Sequence, residues 1–140
     1  MATPRYMLDT NMASYIVRGP SAALAARLVA VPMAQLCVSS VTQGELLFGV
    51  ARKPGATSLQ VAVREFLARV DVLDWDCAAA TRYGALRAAL ETNGTPLGNL
   101  DTLIAAHALA TGAVLVTNDQ AFAPVPGLVV ENWLLNIGTT

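Results

Sequence analysis

The chain has 140 residues, of which 54% are hydrophobic and 14% are charged. This composition excludes an intrinsically disordered chain, because disorder combines low hydrophobicity with high charge. Nine Lys and Arg residues against ten Asp and Glu residues give a formal charge of −1, which argues against nucleic-acid binding by an overall positive charge. The length is typical of one domain, and we expect a single domain over residues 1–140.

Short apolar runs alternate with segments of helical periodicity along the whole chain. The first apolar run is followed by a helix that ends at about residue 17, and the later predicted helices cover about residues 21–30, 41–51, 59–70, 79–90 and 99–111. The predicted strands cover residues 5–9, 35–39, 71–75, 113–117 and 127–131. These strands lack alternating polarity, which is typical of a parallel sheet covered by helices on both faces. The sequence therefore predicts a three-layer α/β/α sandwich with a mainly parallel sheet of about four or five strands.

No segment is typical of secretion or of membrane insertion. The first residues lack the charged and apolar regions of a signal peptide, and the sequence has no run of 18 or more apolar residues. Cys37 and Cys77 are not arranged in a C-x-x-C motif, so they fit free thiols in a reducing compartment better than a disulfide or a zinc site. We therefore expect a cytoplasmic protein with no membrane association.

The common catalytic motifs are missing from the sequence. It contains no G-x-G-x-x-G, no P-loop, no H-E-x-x-H and no G-x-S-x-G segment. His107 is the only histidine, and its spacing of six residues from Asp101 places the two on different faces of the predicted helix. We therefore expect a structural role for His107 and no acid–base catalysis built on histidine.

Four acidic residues stand in apolar or turn contexts beside small polar residues. Asp9, Glu45 and Asp119 each follow a predicted strand, and Asp101 lies near the start of the helix that leads into the fourth strand. Each also fits a local structural role. Asp9 fits a helix cap, Glu45 fits a capping box with Thr42, Asp101 fits the first turn of its helix, and Asp119 fits a turn.

The four acidic residues are expected to meet, because the carboxyl ends of parallel strands share one edge of the sheet. Like charges at such short range raise one another's pKa, and a bound divalent cation removes this conflict. Oxygen ligands without His or Cys favour Mg²⁺ or Mn²⁺ over zinc, and such sites support phosphoryl transfer or phosphodiester hydrolysis. Without these four residues, nine basic residues face six acidic ones, so the rest of the chain carries about +3.

The same residues resemble a known family. The sequence is similar to PIN-domain proteins, and most similar to VapC-type toxins of bacterial toxin–antitoxin pairs, in five segments that follow in the same order. The segments are LDTN (8–11), GEL (44–46), GNLDTLIAAHA (98–108), VTNDQAF (116–122) and VPGLVVENW (125–133). The resemblance implies a PIN-like core over about residues 5–133, followed by a short C-terminal tail.

The resemblance also implies an activity, a site and partners. It implies a Mg²⁺-dependent endoribonuclease, with Mn²⁺ as a substitute, that inhibits translation and growth when it is not neutralised. Its catalytic and metal-binding residues would be Asp9, Glu45, Asp101 and Asp119, with Asn11 and Thr117 in support. The implied partners are an RNA substrate, a second copy in a homodimer and a cognate VapB-like antitoxin, through which the complex binds operator DNA.

Three alternatives stay open at this point. The chain fits a PIN nuclease of RNA processing without an antitoxin, and it fits a catalytically inactive PIN binding module. A phosphatase of the haloacid dehalogenase type is the weakest of the three. That fold requires a second Asp where this chain has Asn11, and a downstream lysine, whereas Lys53 lies outside the expected context.

Overall fold

The computed structural model describes residues 4–135 and contains a five-stranded sheet in which all the paired strands run parallel. The strands are β1 (Tyr6–Leu8), β2 (Leu36–Ser39), β3 (Asp71–Leu73), β4 (Val114–Val116) and β5 (Val130–Glu131). The helices are α1 (Thr10–Arg18), α2 (Ala22–Ala30), α3 (Ser40–Ala51), α4 (Thr57–Arg69), α5 (Cys77–Thr92) and α6 (Asn99–Thr111), with short 3-10 helices at Met33–Gln35 and Gln120–Phe122. Residues 136–140 of the expected C-terminal tail lie outside the described residues.

Both faces of the sheet are buried by helices. On one face, Met7 and Leu115 pack against buried side chains of α5 and α6, among them Leu86 and Ile104. On the other face, neighbouring strand residues pack against α1, α2, α4 and the C-terminal segment; this cluster includes Leu8, Val38, Val116, Met12, Leu24, Phe66 and Trp133. The predicted three-layer α/β/α sandwich is therefore confirmed, and the burial of both faces explains why the strands are apolar throughout.

The strands are shorter than the sequence pattern predicts, most clearly at β5. The predicted strand over 127–131 is reduced to Val130–Glu131. Gly127 has a φ of +77°, and the amide of Leu128 donates to the carbonyl of Val125 at 3.4 Å, so the backbone is still turning there. The predicted boundaries of the helix at 99–111 agree with α6 at both ends.

The strand order places one crevice at the centre of the sheet. The order is β3-β2-β1-β4-β5, so the chain moves outward from β1 through β2 to β3, and later builds the other side with β4 and β5. The direction of winding reverses between β1 and β4, and open parallel sheets bind ligands outside the carboxyl ends of the strands at such a point. The amide of Asp9 donates to the carbonyl of Val116 at 3.1 Å, which ties together the two chain segments that leave this crevice.

Within residues 4–135, no helix has the length and apolarity that are needed to cross a lipid bilayer.

Candidate active site

Asp9 is the most buried carboxylate of the site. It follows β1 directly and is the N-cap of α1, where its Oδ1 accepts a hydrogen bond from the amide of Met12 at 2.8 Å. Only 3% of the residue is exposed, and this burial raises the pKa of Asp9 above its ordinary value. The nearby hydroxyl of Thr117 and the Met12 amide lower the pKa, whereas the charges of Asp101 and Asp119 raise it.

Asp101 lies in the first turn of α6, near enough to Asp9 for its charge to act on that carboxyl. Burial is the largest cause that raises the pKa of Asp101, and the charges of Asp119 and Glu45 raise it further. Asp119 follows β4 and caps the short 3-10 helix, because its Oδ1 accepts from the amide of Ala121 at 2.9 Å. The structure therefore brings Asp9, Asp101 and Asp119 close enough to act on one another electrostatically.

Glu45 joins this group from α3, and its local contact differs from the predicted capping box. The N-cap of α3 is Ser39, and Thr42 lies inside the helix, so the predicted role of Thr42 as the N-cap partner of Glu45 is wrong. Glu45 Oε1 instead accepts from the hydroxyl of Thr10 at 2.6 Å, and that hydroxyl also lies 3.2 Å from Thr42 Oγ1. Glu45 is thus oriented by the residue next to Asp9, which is 35 positions away in the sequence.

The two predicted supporting residues differ in their surroundings. Thr117 is buried, and its Oγ1 accepts from the amide of Asp119 at 3.0 Å, so this side chain shapes the turn between β4 and Asp119. Asn11 lies in the first turn of α1 and is exposed, and its side chain makes no hydrogen bond to any part of the chain that the structure describes. Thr117 therefore touches the acidic residues, whereas Asn11 faces solvent beside them.

Asp9, Glu45, Asp101 and Asp119 are called the acidic cluster below. Among residues 4–135, none of the four forms an ion pair with Lys or Arg; the ion pairs there join Arg5–Asp71, Arg27–Glu131 and Arg87–Glu91. The repulsion is therefore not balanced by a basic side chain, and the donors are all carboxylate oxygens, which fits a hard divalent cation. As the described side chains are placed, no three acidic, His or Cys groups converge closely enough to hold a metal ion together.

His107 has the structural role that its position predicts. It is 1% exposed, and its Nδ1 lies 2.8 Å from the hydroxyl of Ser39, which joins α6 to the end of β2. Burial lowers the pKa of His107 below its ordinary value, so the ring stays neutral near pH 7. The contact with Ser39 could not be predicted from a local pattern, because the two residues are 68 positions apart.

The fold agrees with the comparison to known proteins. The PIN domain profile matches residues 6–128. The chain belongs to the PIN domain family. It is 37% identical over 130 residues to the tRNA(fMet)-specific endonuclease VapC of Shigella flexneri, covering 92% of this chain and 98% of that protein. It is 35% identical over 130 residues to the ribonuclease VapC2 of Rickettsia felis, covering 91% and 97%.

Solved structures show the same PIN fold. A chain of DNA-bound VapBC from Salmonella typhimurium matches with a TM-score of 0.87 and 34% identity, covering 94% of this chain and 99% of that one. VapBC2 from Rickettsia felis, bound to a promoter DNA fragment, matches with a TM-score of 0.84 and 35% identity, covering 91% and 98%. The resemblance that the five sequence segments indicated is therefore confirmed, and it extends over nearly the whole chain.

Thr10 is the site residue whose role the sequence did not indicate. It was part of the LDTN segment, yet no function follows from a single threonine at the start of a helix. The structure gives it one, because its hydroxyl contacts Glu45 and lies beside Thr42. The feature of the sequence that could have indicated this role is the position of Thr10 directly after Asp9. At that position its hydroxyl is held at the same sheet edge as the carboxylates.

Proposed function

We propose that this PIN domain is a divalent-metal-dependent endoribonuclease and the toxin of a toxin–antitoxin pair, which inhibits translation and growth when it is not neutralised. The observation that carries the proposal is the acidic cluster at the crevice between β1 and β4, which has no basic partner among the described residues. The relatives named as VapC ribonucleases support this reading of the site.

The metal is Mg²⁺, for which Mn²⁺ substitutes, held by Asp9, Glu45, Asp101 and Asp119. The donor chemistry supports this choice, since carboxylate oxygens without His or Cys prefer these ions. When bound, the cation lowers the pKa of a coordinated water and neutralises charge that develops on the phosphate. Burial is the largest cause of the raised pKa values of Asp9 and Asp101, and neighbouring carboxylate charges raise them further; a bound cation would stabilise the charged form of both residues.

The chain's own residues hold this cluster in place before any substrate binds. Asp9 is fixed by its cap on α1, and Asp119 is fixed by its cap on the short 3-10 helix. Thr10 holds one oxygen of Glu45 and leaves the other free for a ligand. These contacts would keep the backbone positions of the acidic residues fixed, so that only side-chain rotation is needed for their carboxylates to converge on a bound cation.

We assign supporting roles to Thr117 and Asn11. The hydroxyl of Thr117 lies between Asp9 and Asp119 and keeps the turn after β4 in one conformation. Asn11 is exposed in the first turn of α1, where its amide is available to the attacking water or to the RNA. The RNA 2′-hydroxyl is not required as a nucleophile in this scheme, so the products carry a 3′-hydroxyl and a 5′-phosphate.

The proposed partners follow from the similarity of the chain to VapC proteins. We propose a cognate VapB-like antitoxin, and operator DNA bound through that antitoxin, as the DNA-bound VapBC neighbours suggest for this family. We also propose that the chain forms a homodimer, that residues 1–140 are a single PIN-like domain, and that it acts in the cytoplasm, where its RNA substrates are found. Analytical ultracentrifugation of the purified protein tests the homodimer.

Cleavage of a defined RNA tests the enzymatic proposal. The first substrate is tRNA(fMet), which the name of the Shigella flexneri relative specifies for that protein. Cleavage should require Mg²⁺ or Mn²⁺, stop in EDTA, and disappear in Asp101→Asn, while the exposed Asp74→Asn remains active as the matched control. Activity that persists in EDTA or in Asp101→Asn would overturn the metal-site proposal.

Growth of cells that express the chain tests the toxin role. Expression without an antitoxin should arrest growth, and Asp101→Asn should not. Cleavage of RNA without growth arrest would favour a PIN nuclease of RNA processing, and the absence of both would favour an inactive binding module. A small open reading frame directly upstream, whose product restores growth, would identify the antitoxin.

A further inference from the structure

A cleft of about 250 Å³ adjoins the acidic cluster and lies between α1, α3 and α4. Three basic residues line it: Arg18 from the last turn of α1, and Arg52 and Lys53 directly after α3. We call it the basic cleft. Lys53 is the only lysine of the whole chain.

The charge of the basic cleft is not neutralised from within. None of its three basic residues takes part in an ion pair with the rest of the described chain, whereas Arg5, Arg27 and Arg87 are paired elsewhere. Glu45 is the single acidic residue that lines the cleft, and it belongs to the acidic cluster. The cleft therefore presents an excess of positive charge in a protein whose formal net charge is −1.

The cleft is continuous with the proposed metal site. Thr10 and Glu45 line the cleft and also form the hydrogen bond that orients Glu45. Glu45 in α3 and Arg52, the C-cap of that helix, are seven positions apart, so they lie on the same side about two turns, or roughly 10 Å along the axis, from each other. That distance corresponds to about three nucleotides at the ~3.4 Å axial spacing of a stacked strand.

An aromatic ring stands between these two residues. Phe48 lines the cleft and is 63% exposed, and the guanidinium of Arg52 lies 5.3 Å from the centre of its ring. An exposed aromatic ring beside unpaired cations is typical of sites for single-stranded nucleic acid, where bases stack and phosphates are bound by Arg and Lys.

We propose that the basic cleft binds the RNA strand on one side of the scissile bond. Arg18, Arg52 and Lys53 bind its phosphates, and Phe48 stacks on a base. This inference rests on the proposed ribonuclease function and adds the path of the substrate to it. The contacts in the cleft are made away from the reacting phosphate. They therefore determine which RNA segment is positioned at Glu45, and they do not change the rate at which the bound RNA is cut.

Steady-state cleavage of a short single-stranded RNA tests this path. Arg52→Ala and Lys53→Ala should each raise KM about five- to tenfold with kcat unchanged, as expected when uniform binding is removed. The slope of log KM against log salt should also fall by about 0.7 for each lost phosphate contact. Arg82→Ala on α5, in the opposite layer, removes the same charge and should change neither quantity.

The outcomes separate the two proposals. If the wild-type protein cuts no RNA, the proposed function fails, whereas if it cuts RNA and both cleft variants keep the wild-type KM, the cleft proposal alone fails. Loss of antitoxin binding in Arg52→Ala with unchanged KM would show that the cleft binds protein, which also overturns the proposal. Thermal melting of each variant confirms that these exposed substitutions leave the fold intact.

Labelling of Lys53 gives an independent readout. An amine-reactive ester should modify Lys53, the only lysine side chain, in the free protein. Single-stranded RNA should protect it in Asp101→Asn, which does not cut the RNA, and an equal charge of polyglutamate should not. Equal protection by polyglutamate, or no protection by RNA, would contradict a nucleic-acid site.

Discussion

Replacing Asp9 separates its structural role from its proposed metal-binding role. Asp9 caps α1 through Oδ1 and is 3% exposed among other acidic residues. Asp9→Asn keeps an oxygen that accepts from the Met12 amide and removes the buried charge, whereas Asp9→Ala removes both. Without metal, Asp9→Asn should therefore be at least as stable as the wild type at pH 7, and Asp9→Ala should be less stable than Asp9→Asn.

The expected difference between the two variants follows from the lost cap. Replacing an N-cap Asp by Ala costs about 1 kcal/mol, which corresponds to roughly 3–4 °C in melting temperature for a chain of this size. The pH dependence has a defined sign. Because the folded pKa of Asp9 is raised, the folded protein binds more protons than the unfolded chain just above pH 3.8, so this residue makes the protein less stable as the pH rises through that window. Asp9→Asn should lack this contribution.

Thermal melting with and without Mg²⁺ measures both roles. At a Mg²⁺ concentration about 100 times the dissociation constant, binding stabilises the wild type by about 2.7 kcal/mol, and both Asp9 variants should lose most of that gain. Asp74→Asn, an exposed change of the same chemistry, should keep it. The reasoning is refuted if metal-free Asp9→Asn melts well below the wild type, or if it keeps the full Mg²⁺-dependent rise.

Three further results are expected. Thr10→Val removes the hydroxyl that orients Glu45 and should lower RNA cleavage about 10- to 100-fold at limiting Mg²⁺ with little change in melting temperature; an unchanged rate would show that this contact is incidental. His107→Gln should remain active. When the pH is lowered from 7.5 to 5.5, its free energy of unfolding, measured in urea, should fall by less than that of the wild type. The pKa of the buried ring is lowered, so the unfolded chain binds more protons than the folded protein below about pH 6.5; equal losses in both proteins would contradict this. A thiol reagent should label one cysteine, Cys77, in the native protein and both after unfolding, because Cys37 is buried and its pKa is raised to about 11; native labelling of two thiols would contradict the packing of β2.

The order of strands and helices was predictable because each element carries its own periodicity. Val63, Phe66 and Val70 lie three or four positions apart, and all three are buried against the sheet. The ends of the strands were less predictable, because hydrogen bonding between two strands ends where the neighbouring strand ends, and that position is not encoded locally. Ala113 has a strand-like sequence, yet its amide donates to the carbonyl of Ala108 at the end of α6.

The site was predictable in its acidic residues and not in their supports. Asp9, Glu45, Asp101 and Asp119 could be proposed because each lies shortly after a predicted strand or in the first turns of a helix, at ends that a parallel sheet brings to one edge. The contact of Glu45 with Thr10 joins residues 35 positions apart, and a local pattern with Thr42 predicted the wrong partner. The positive charge of the basic cleft could not be predicted from the sequence either, because its basic residues come from separate helices.

The position of β1 has a consequence for the order in which the proposed site is synthesised. β1 is the central strand and the first to be synthesised, and its neighbour β4 is among the last. Asp9 leaves the ribosome about 110 residues before Asp119, which is an interval of roughly 5–20 s at ordinary rates of synthesis. A nascent chain therefore carries half of its proposed cutting site and lacks the rest until α6 and β4 have emerged.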